Sequence, residues 1–235
     1  MSSRLKIGEV VLGERPRVVA AGGDAEVEAL LHADGADLVE LRADLFDDPQ
    51  PAAIAAALAR LRAGARPLIL TVRHAREGGR PMPDDRRYAV YAAGLAHAHA
   101  IDIEIASAEA LAPLVQRARD DGRLVILSAH FQDDTPSLGT LLGLVARAET
   151  LGAHVTKLVT TAASPADLRR LLEATLAAAP RPVATFAMGP LGVVSRVLFG
   201  VAGSLLTYGS VGRPTAPGQL PVGELRTWID RFYPA

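Results

Sequence analysis

The sequence predicts a (β/α)8 barrel, and three observations lead there. Eight short apolar runs of strand type alternate strictly with eight segments of helical spacing. The strand runs are apolar at nearly every position, the pattern of a parallel sheet covered on both faces. The chain has 235 residues, near the ~250 typical of such barrels and enough to bury most of the surface its unfolded form exposes. An open doubly wound sheet is the second architecture to weigh. It usually carries a Gly-rich phosphate turn after its first strand, a pattern that AAGGDAEVEAL meets poorly.

Taken in order, residues 5–13 (LKIGEVVLG) precede the barrel and read as a hairpin or edge segment closing its bottom. Strand runs follow at 17–21 (RVVAA), 37–41 (DLVEL), 67–72 (PLILTV) and 100–105 (AIDIEI). Four more lie at 123–128 (RLVILS), 154–159 (HVTKLV), 182–187 (PVATFA) and 203–207 (GSLLT). Helical spacing marks 24–34, 50–63, 86–97, 108–120, 137–151, 164–178, 190–199 and 222–232. Ser164-Pro165 supplies an N-cap and a first-turn proline, and Ser107 stands ahead of AEALAPLV as a second N-cap. Gly35, Gly64, Gly122 and Gly152 fall where helices should stop. No linker or low-complexity stretch divides the chain, so 1–235 reads as one catalytic barrel domain.

Charge and composition exclude several function classes. Lys plus Arg number 25 against 26 Asp plus Glu, and no basic stripe marks a nucleic-acid partner. With no Cys there is neither a disulfide framework nor a thiolate metal site. The start, MSSRLKIGEVVLG, lacks the apolar core of a signal peptide, and no apolar run reaches membrane-spanning length. The expectation is a soluble cytoplasmic protein.

Active sites of (β/α)8 barrels lie at the C-terminal ends of the strands. In this reading those ends hold Glu40 and Arg42, Arg73, Glu104, Ser128 with His130, Lys157, Met188 and Thr207. No comparable crowd of ionisable residues marks the strand starts. Lys157, in the apolar run HVTKLV, is the most informative of them, because lysine is depleted in strands and rarely buried unpaired. An amine held in an apolar pocket beside cations loses basicity and becomes a nucleophile able to condense with a ketone. Each residue alone also has an ordinary explanation. Lys157 could snorkel outward, His130 could be a satisfied strand-end histidine, and Glu40 with Arg42 could form an ion pair inside the barrel. Glu77-Gly78-Gly79 alone reads as a turn, and Arg196 could be a common helix arginine. What those explanations leave unexplained is the set gathered at one end of one barrel.

The blocks VELRAD (39–44), LTVRHAREGG (70–79), IDIEI (101–105), LSAH (127–130), TPS (135–137), VTKLV (155–159), MGPLGVVSR (188–196) and TYGSVGRPTAPGQL (207–220) resemble type I 3-dehydroquinate dehydratase. That family is the Schiff-base dehydratase of the shikimate pathway, and the blocks span most of the chain in the family's order. The resemblance implies a (β/α)8 barrel, commonly a homodimer, that needs no metal or organic cofactor and acts on the small molecule 3-dehydroquinate. It implies that Lys157 forms an imine with the C3 ketone, and that His130 removes the C2 proton and then protonates the departing C1 hydroxyl. Glu77 would orient the imidazole, and Arg196 would anchor the substrate carboxylate with its planar fork. Glu40, Arg42 and Arg73 would read ring hydroxyls and hold positive potential near Lys157. Thr215 and Gln219 would come from a Gly- and Pro-rich lid after the last strand.

The chain departs from the family pattern at Ala129, Phe131 and Gln132 around the histidine, and Thr215 stands where a serine is usual. Two other classes stand beside the dehydratase: another Schiff-base barrel enzyme, such as a class I aldolase or a dehydratase of a modified dehydroquinate, and a non-catalytic ligand-binding barrel. The GVVSR and APGQ blocks and the Glu77–His130 combination speak against an aldolase. Lys157, His130, Glu77 and Arg196 together speak against the second.

Overall fold

The computed structural model describes residues 5–234. The chain opens with β1 (Lys6–Ile7) and β2 (Val10–Val11), an antiparallel hairpin pairing Lys6 with Val11. Eight parallel strands follow: β3 (Arg17–Gly22), β4 (Leu38–Arg42), β5 (Leu68–Thr71), β6 (Ala100–Glu104), β7 (Leu124–His130), β8 (Val155–Thr161), β9 (Val183–Met188) and β10 (Leu206–Ser210). Their spatial order is β10-β3-β4-β5-β6-β7-β8-β9. The two ends of that sheet meet through a parallel bridge between Val183 and Ser204, and Leu205 N–H donates to the Val183 carbonyl at 2.9 Å. This nearly closes the predicted barrel.

Helices α1 (Val27–Leu31), α2 (Pro51–Arg62), α3 (Asp84–Gly94), α4 (Ala112–Asp120), α5 (Leu138–Thr150), α6 (Pro165–Ala178), α7 (Val193–Leu198) and α8 (Val222–Phe232) alternate with the strands. Because strand side chains alternate faces, each strand contributes to two cores. The outer one, with Val39, Leu41, Leu70, Ile103 and Leu127, packs against helix residues such as Leu58, Leu114 and Leu141. The inner one has a floor of Leu38, Ile69, Ala100, Leu124 and Val155, and Ile7 of the hairpin joins it fully buried. The hairpin therefore plugs the N-terminal end of the barrel. Each such leucine or isoleucine contributes on the order of 2 kcal/mol of transfer free energy. Above that floor the inner residues turn polar, and there the site is built.

Several element ends differ from the sequence expectation for local reasons. The last strand runs 206–210, three residues beyond the expected 203–207, because Gly203 adopts φ +103° and ends the preceding helical turn. The first helix is short, a 3-10 turn at Asp24–Glu26 followed by α1. Gly35, Gly122 and Gly152 adopt positive φ at helix ends, but after α2 the left-handed residue is Ala65 (φ 60°), not Gly64. Ser107 does not cap α4, whose N-cap is Leu111; its hydroxyl instead accepts from Arg87 at 3.1 Å. Ser164 does begin α6, with its N–H and hydroxyl both donating to Asp167.

Candidate active site

Lys157 occupies the third position of β8, inside the barrel and level with Ser128 of β7. Inward parity rather than outward snorkelling settles its orientation: its side chain is buried, and Nζ lies 4.5 Å from the centroid of the Tyr208 ring. Its nearest charged neighbours are carboxylates. Nζ contacts Asp102 Oδ2 and stands 3.7 Å from Glu40 Oε2. The expected positive potential is thus separated from the amine by a carboxylate, since Arg73 donates to the other oxygen of Asp102, Oδ1, at 2.9 Å.

Arg73 follows β5 and organises the centre. Its Nη1 donates to Glu104 Oε1 at 2.9 Å and to Ser128 Oγ at 2.7 Å, and its backbone N–H to Asp44 Oδ1 at 3.0 Å. Burial works against its charge, yet Asp102 and Glu104 outweigh that and hold the guanidinium well above its ordinary value. Burial likewise opposes the Asp102 charge, but Arg73 and Lys157 keep that carboxyl well below the usual carboxylate range. Arg42 and Glu40 share the inner face as their spacing requires, but they do not pair. Arg42 makes a bidentate pair with Asp44 at 2.9 and 2.7 Å instead.

His130 ends β7, two residues above the level of Lys157 on the adjacent strand, so its imidazole stands on the mouth side of the amine. Glu77 Oε2 accepts from the His130 backbone N–H at 2.9 Å and lies 2.8 Å from Nδ1. That contact places the Nδ1 proton towards the carboxylate and leaves Nε2 free to accept one. Burial, then Arg73 and Lys157, push the imidazole well below the ordinary histidine value. Burial raises Glu77 to about 7 against the pull of Arg73. The Glu77 turn depends on its glycines. Gly78 takes φ +86°, and a Cβ on Gly79 would come within 2.0 Å of the Arg73 carbonyl oxygen.

Arg196 lies in the short helix α7 after β9, buried, with its guanidinium 4.8 Å from the Phe186 ring centroid. Nη1 donates to the Tyr208 carbonyl at 3.3 Å, whereas Nε and Nη2 have no hydrogen-bond partner. Burial without a counter-charge lowers it to about 10. Gln219 Oε1 accepts from Thr215 N–H and Oγ1 at 2.7 and 3.1 Å, tying the loop after β10 together. The Pro217 carbonyl of that loop accepts from Gly189 N–H at 3.3 Å.

One cavity of ≈ 580 Å³ collects Glu40, Arg42, Arg73, Glu77, His130, Lys157, Arg196, Thr215 and Gln219 in its lining. The nine residues to which the resemblance assigns roles therefore all meet, while Glu104 and Ser128 lie behind them as partners of Arg73. Met188 lines it too. Thr207 does not: it faces away from the barrel axis, and its Oγ1 donates to the Arg196 carbonyl at 2.7 Å. The sequence reading missed Asp102, Tyr208, Asp44 and Arg87, the last fully buried in α3 with its guanidinium on Glu104 and the Val72 carbonyl. The alternation of IDIEI, which puts Asp102 on the face of Glu104, was the signal available for the first. Among the described residues no group of three or more His, Asp or Glu is arranged as a metal site, and no helix is long and apolar enough to cross a membrane.

Comparison with known proteins agrees with this geometry. The model of the family described as type I 3-dehydroquinase matches residues 21–232. A 3-dehydroquinate dehydratase of Klebsiella pneumoniae subsp. pneumoniae is 38% identical over 207 residues, covering 83% of this chain and 82% of the relative. One from Bacillus licheniformis is 35% identical over 246 aligned residues, 96% of each. Among solved structures, 3-dehydroquinate dehydratase from Geobacillus kaustophilus superposes with a TM-score of 0.90 at 29% identity, covering 100% of this chain and 98% of that one. The type I enzyme from Clostridium difficile, solved with covalently modified comenic acid, superposes with a TM-score of 0.89 at 27% identity, covering 98% and 97%.

Proposed function

The chain belongs to the type I 3-dehydroquinase family, and on that premise we propose how its own residues carry the reaction. It is a hydro-lyase that converts 3-dehydroquinate to 3-dehydroshikimate and water by syn elimination through a lysine Schiff base. Lys157 is that lysine. Its amine adds to the C3 ketone, and loss of water gives the imine. The imine acidifies the C2–H bond, because the electrons left behind delocalise onto nitrogen as an enamine. His130 removes the C2 proton through Nε2, and the imidazolium then returns a proton to the C1 hydroxyl as the C–O bond breaks. Hydrolysis of the conjugated imine releases the product and regenerates the amine.

The observation that carries this reading is the composition of one cavity: a buried amine, an imidazole braced by Glu77, and a guanidinium without a carboxylate of its own. Glu77 fixes the tautomer and stabilises the imidazolium formed midway. Arg196 takes the substrate carboxylate through the two nitrogens left unpartnered, an arrangement suited to bidentate recognition. Arg42 and Arg73 orient ring hydroxyls together with Glu40, and Thr215 and Gln219 close the loop over the ring. The whole chain acts as one catalytic domain.

We place a second copy of the chain on the outer face formed by α7 and α8. Val194, Leu198 and Val201 are exposed at helical spacing there, beside the stacked pair Trp228 and Phe232. Sedimentation at micromolar concentration is expected to show a dimer, and a monomer would overturn that assignment.

The catalytic reading is tested by mixing the enzyme with 3-dehydroquinate and borohydride and locating the added mass by peptide mass spectrometry. A dehydrated adduct on Lys157 is expected. An adduct on another residue, or none while turnover proceeds, would remove Lys157 from the mechanism.

A further inference from the structure

At the opposite end of the barrel a second group of cations gathers without counter-charge. A hollow of ≈ 360 Å³ is lined by Leu5, Lys6, Arg119, Gly122, Arg123, Leu124 and His154, none of them acidic. Among the described residues neither Lys6, Arg119 nor Arg123 forms an ion pair with a carboxylate. Arg119 donates to the Gly152 carbonyl at 2.6 Å, Arg123 makes only a 3.5 Å contact with the Ala96 carbonyl, and the Arg123 Nε is buried with no partner.

The histidine makes the arrangement informative. His154 Nδ1 accepts the Val125 N–H at 2.8 Å. A ring nitrogen that accepts carries no proton, so the neutral ring must be protonated at Nε2. That Nε2 lies 3.4 Å from Arg119 Nη1. Two donors thus face one another with no acceptor between them, and Arg123, whose Nε is buried without a partner, lines the same hollow. Half-buried donors are ordinarily paired, and the Nε2–H of His154 faces a cation instead of an acceptor, so the geometry calls for an acceptor beside it, within reach of the exposed Arg119.

We propose that this hollow is a binding site for a phosphate-type oxyanion, held by Arg119, Arg123 and the Nε2–H of His154, with Lys6 at its rim. A tetrahedral dianion supplies acceptors in the several directions from which these donors converge, and it neutralises the charge that the lining leaves uncompensated. Burial and Arg119 push His154 below the ordinary histidine value, so an anion seated between the two would relieve that pressure. The site lies at the strand starts, away from Lys157 and Arg196, and involves none of the residues assigned to the dehydration.

The test follows the His154 ring by NMR while inorganic phosphate is titrated at constant ionic strength, with chloride as the control and a sugar monophosphate as a second ligand. A saturable shift with phosphate but not chloride is expected. In the double variant Arg119→Ala, Arg123→Ala the apparent affinity should fall at least about tenfold, while dehydratase activity, which reports that the variant is folded, stays at the wild-type level. Tighter binding of the sugar phosphate would identify an ester as the source of the anion, and equal binding would identify the free ion. No saturable response, as when a bridging water or an adventitious ion only occupies the hollow, would overturn the proposal. So would a double variant that responds as the wild type does.

Discussion

Lys157 and Arg196 are both cations, and both are almost fully withdrawn from solvent, at 3% and 2% exposure. Their surroundings differ sharply. Lys157 has Asp102 and Glu40 beside its Nζ and the Tyr208 ring within 4.5 Å. Arg196 has one backbone carbonyl and the Phe186 ring, with two of its nitrogens bare. A buried charge is tolerated when paired and costly when not. The lysine's charge is therefore balanced inside the protein, whereas the arginine's is left for a ligand. On the proposed roles, the same low-dielectric cavity holds a nucleophile whose charge the fold manages and an anchor whose charge the substrate completes.

That contrast is broken or sharpened most strongly by replacing each cation with methionine. Lys157→Met removes the amine proposed to form the imine, and kcat should fall by about 10⁴-fold or more, as expected for loss of a covalent nucleophile. It also leaves Asp102 and Glu40 without their shared ammonium. Urea unfolding should show a loss of roughly 3 kcal/mol, in line with breaking a buried pair from one side. Arg196→Met should act differently on the two readouts. kcat/KM should fall by roughly 10²- to 10³-fold through lost charge-assisted hydrogen bonds. Stability without ligand should hold or rise by about 1 kcal/mol, because an unpaired desolvated charge is gone. If both variants destabilise the free protein equally, Arg196 has an internal partner and the distinction between the two cations fails.

The difference between the cations was legible in the sequence only in part. The order of strands and helices follows from periodicity, and the strand-end rule gathers Glu40, Arg42, Arg73, His130 and Lys157 at one end. Glu77, Arg196, Thr215 and Gln219 join them through the family resemblance, and the face of Lys157 stays open between inward and outward. The partners follow from none of these, because they come from elsewhere around the barrel. Arg73 meets Asp102 and Ser128 across 29 and 55 residues of sequence, and a single chain reveals which side chains share a face but not what stands opposite. Hence Glu40 and Arg42 suggested a mutual pair, whereas each is matched with another residue. The last strand was displaced because consecutive leucines at 205 and 206 carry no parity signal and Gly203 ended the helix unannounced. The departures around the histidine resolve simply. Phe131 continues the sheet through its N–H to the Val159 carbonyl at 2.8 Å and packs against the outer core, and Gln132 Nε2 reaches the Glu77 carbonyl at 3.3 Å. The contacts that orient His130 come from Glu77, so these substitutions leave them in place.

Glu77 offers the finer test, because it is a half-buried carboxylate whose one side-chain hydrogen-bonding contact with a titrating group, among the described residues, is His130. Its charge is therefore neither balanced like that of Lys157 nor left open like that of Arg196. Glu77→Gln keeps the shape and the acceptor for the His130 backbone N–H but removes the negative charge. Without that charge the imidazolium formed after proton abstraction loses its stabilisation, and kcat should drop on the order of 10²-fold. The acid limb of kcat/KM should also move to lower pH, since losing a neighbouring carboxylate favours neutral imidazole. Stability gives an independent reading with its own sign. Burial raises the folded Glu77 carboxyl from 4.5 to about 7, so between those values the folded state binds more protons than the unfolded one. The contribution of this group is full below pH 4.5 and is lost as pH rises through 7. Relative to Glu77→Gln, which does not titrate, the wild type should therefore lose stability across that window. A difference curve that is flat, or that rises with pH, would mean that Glu77 is held ionised by Arg73 more firmly than burial opposes, and that its charge belongs with the balanced set around Lys157.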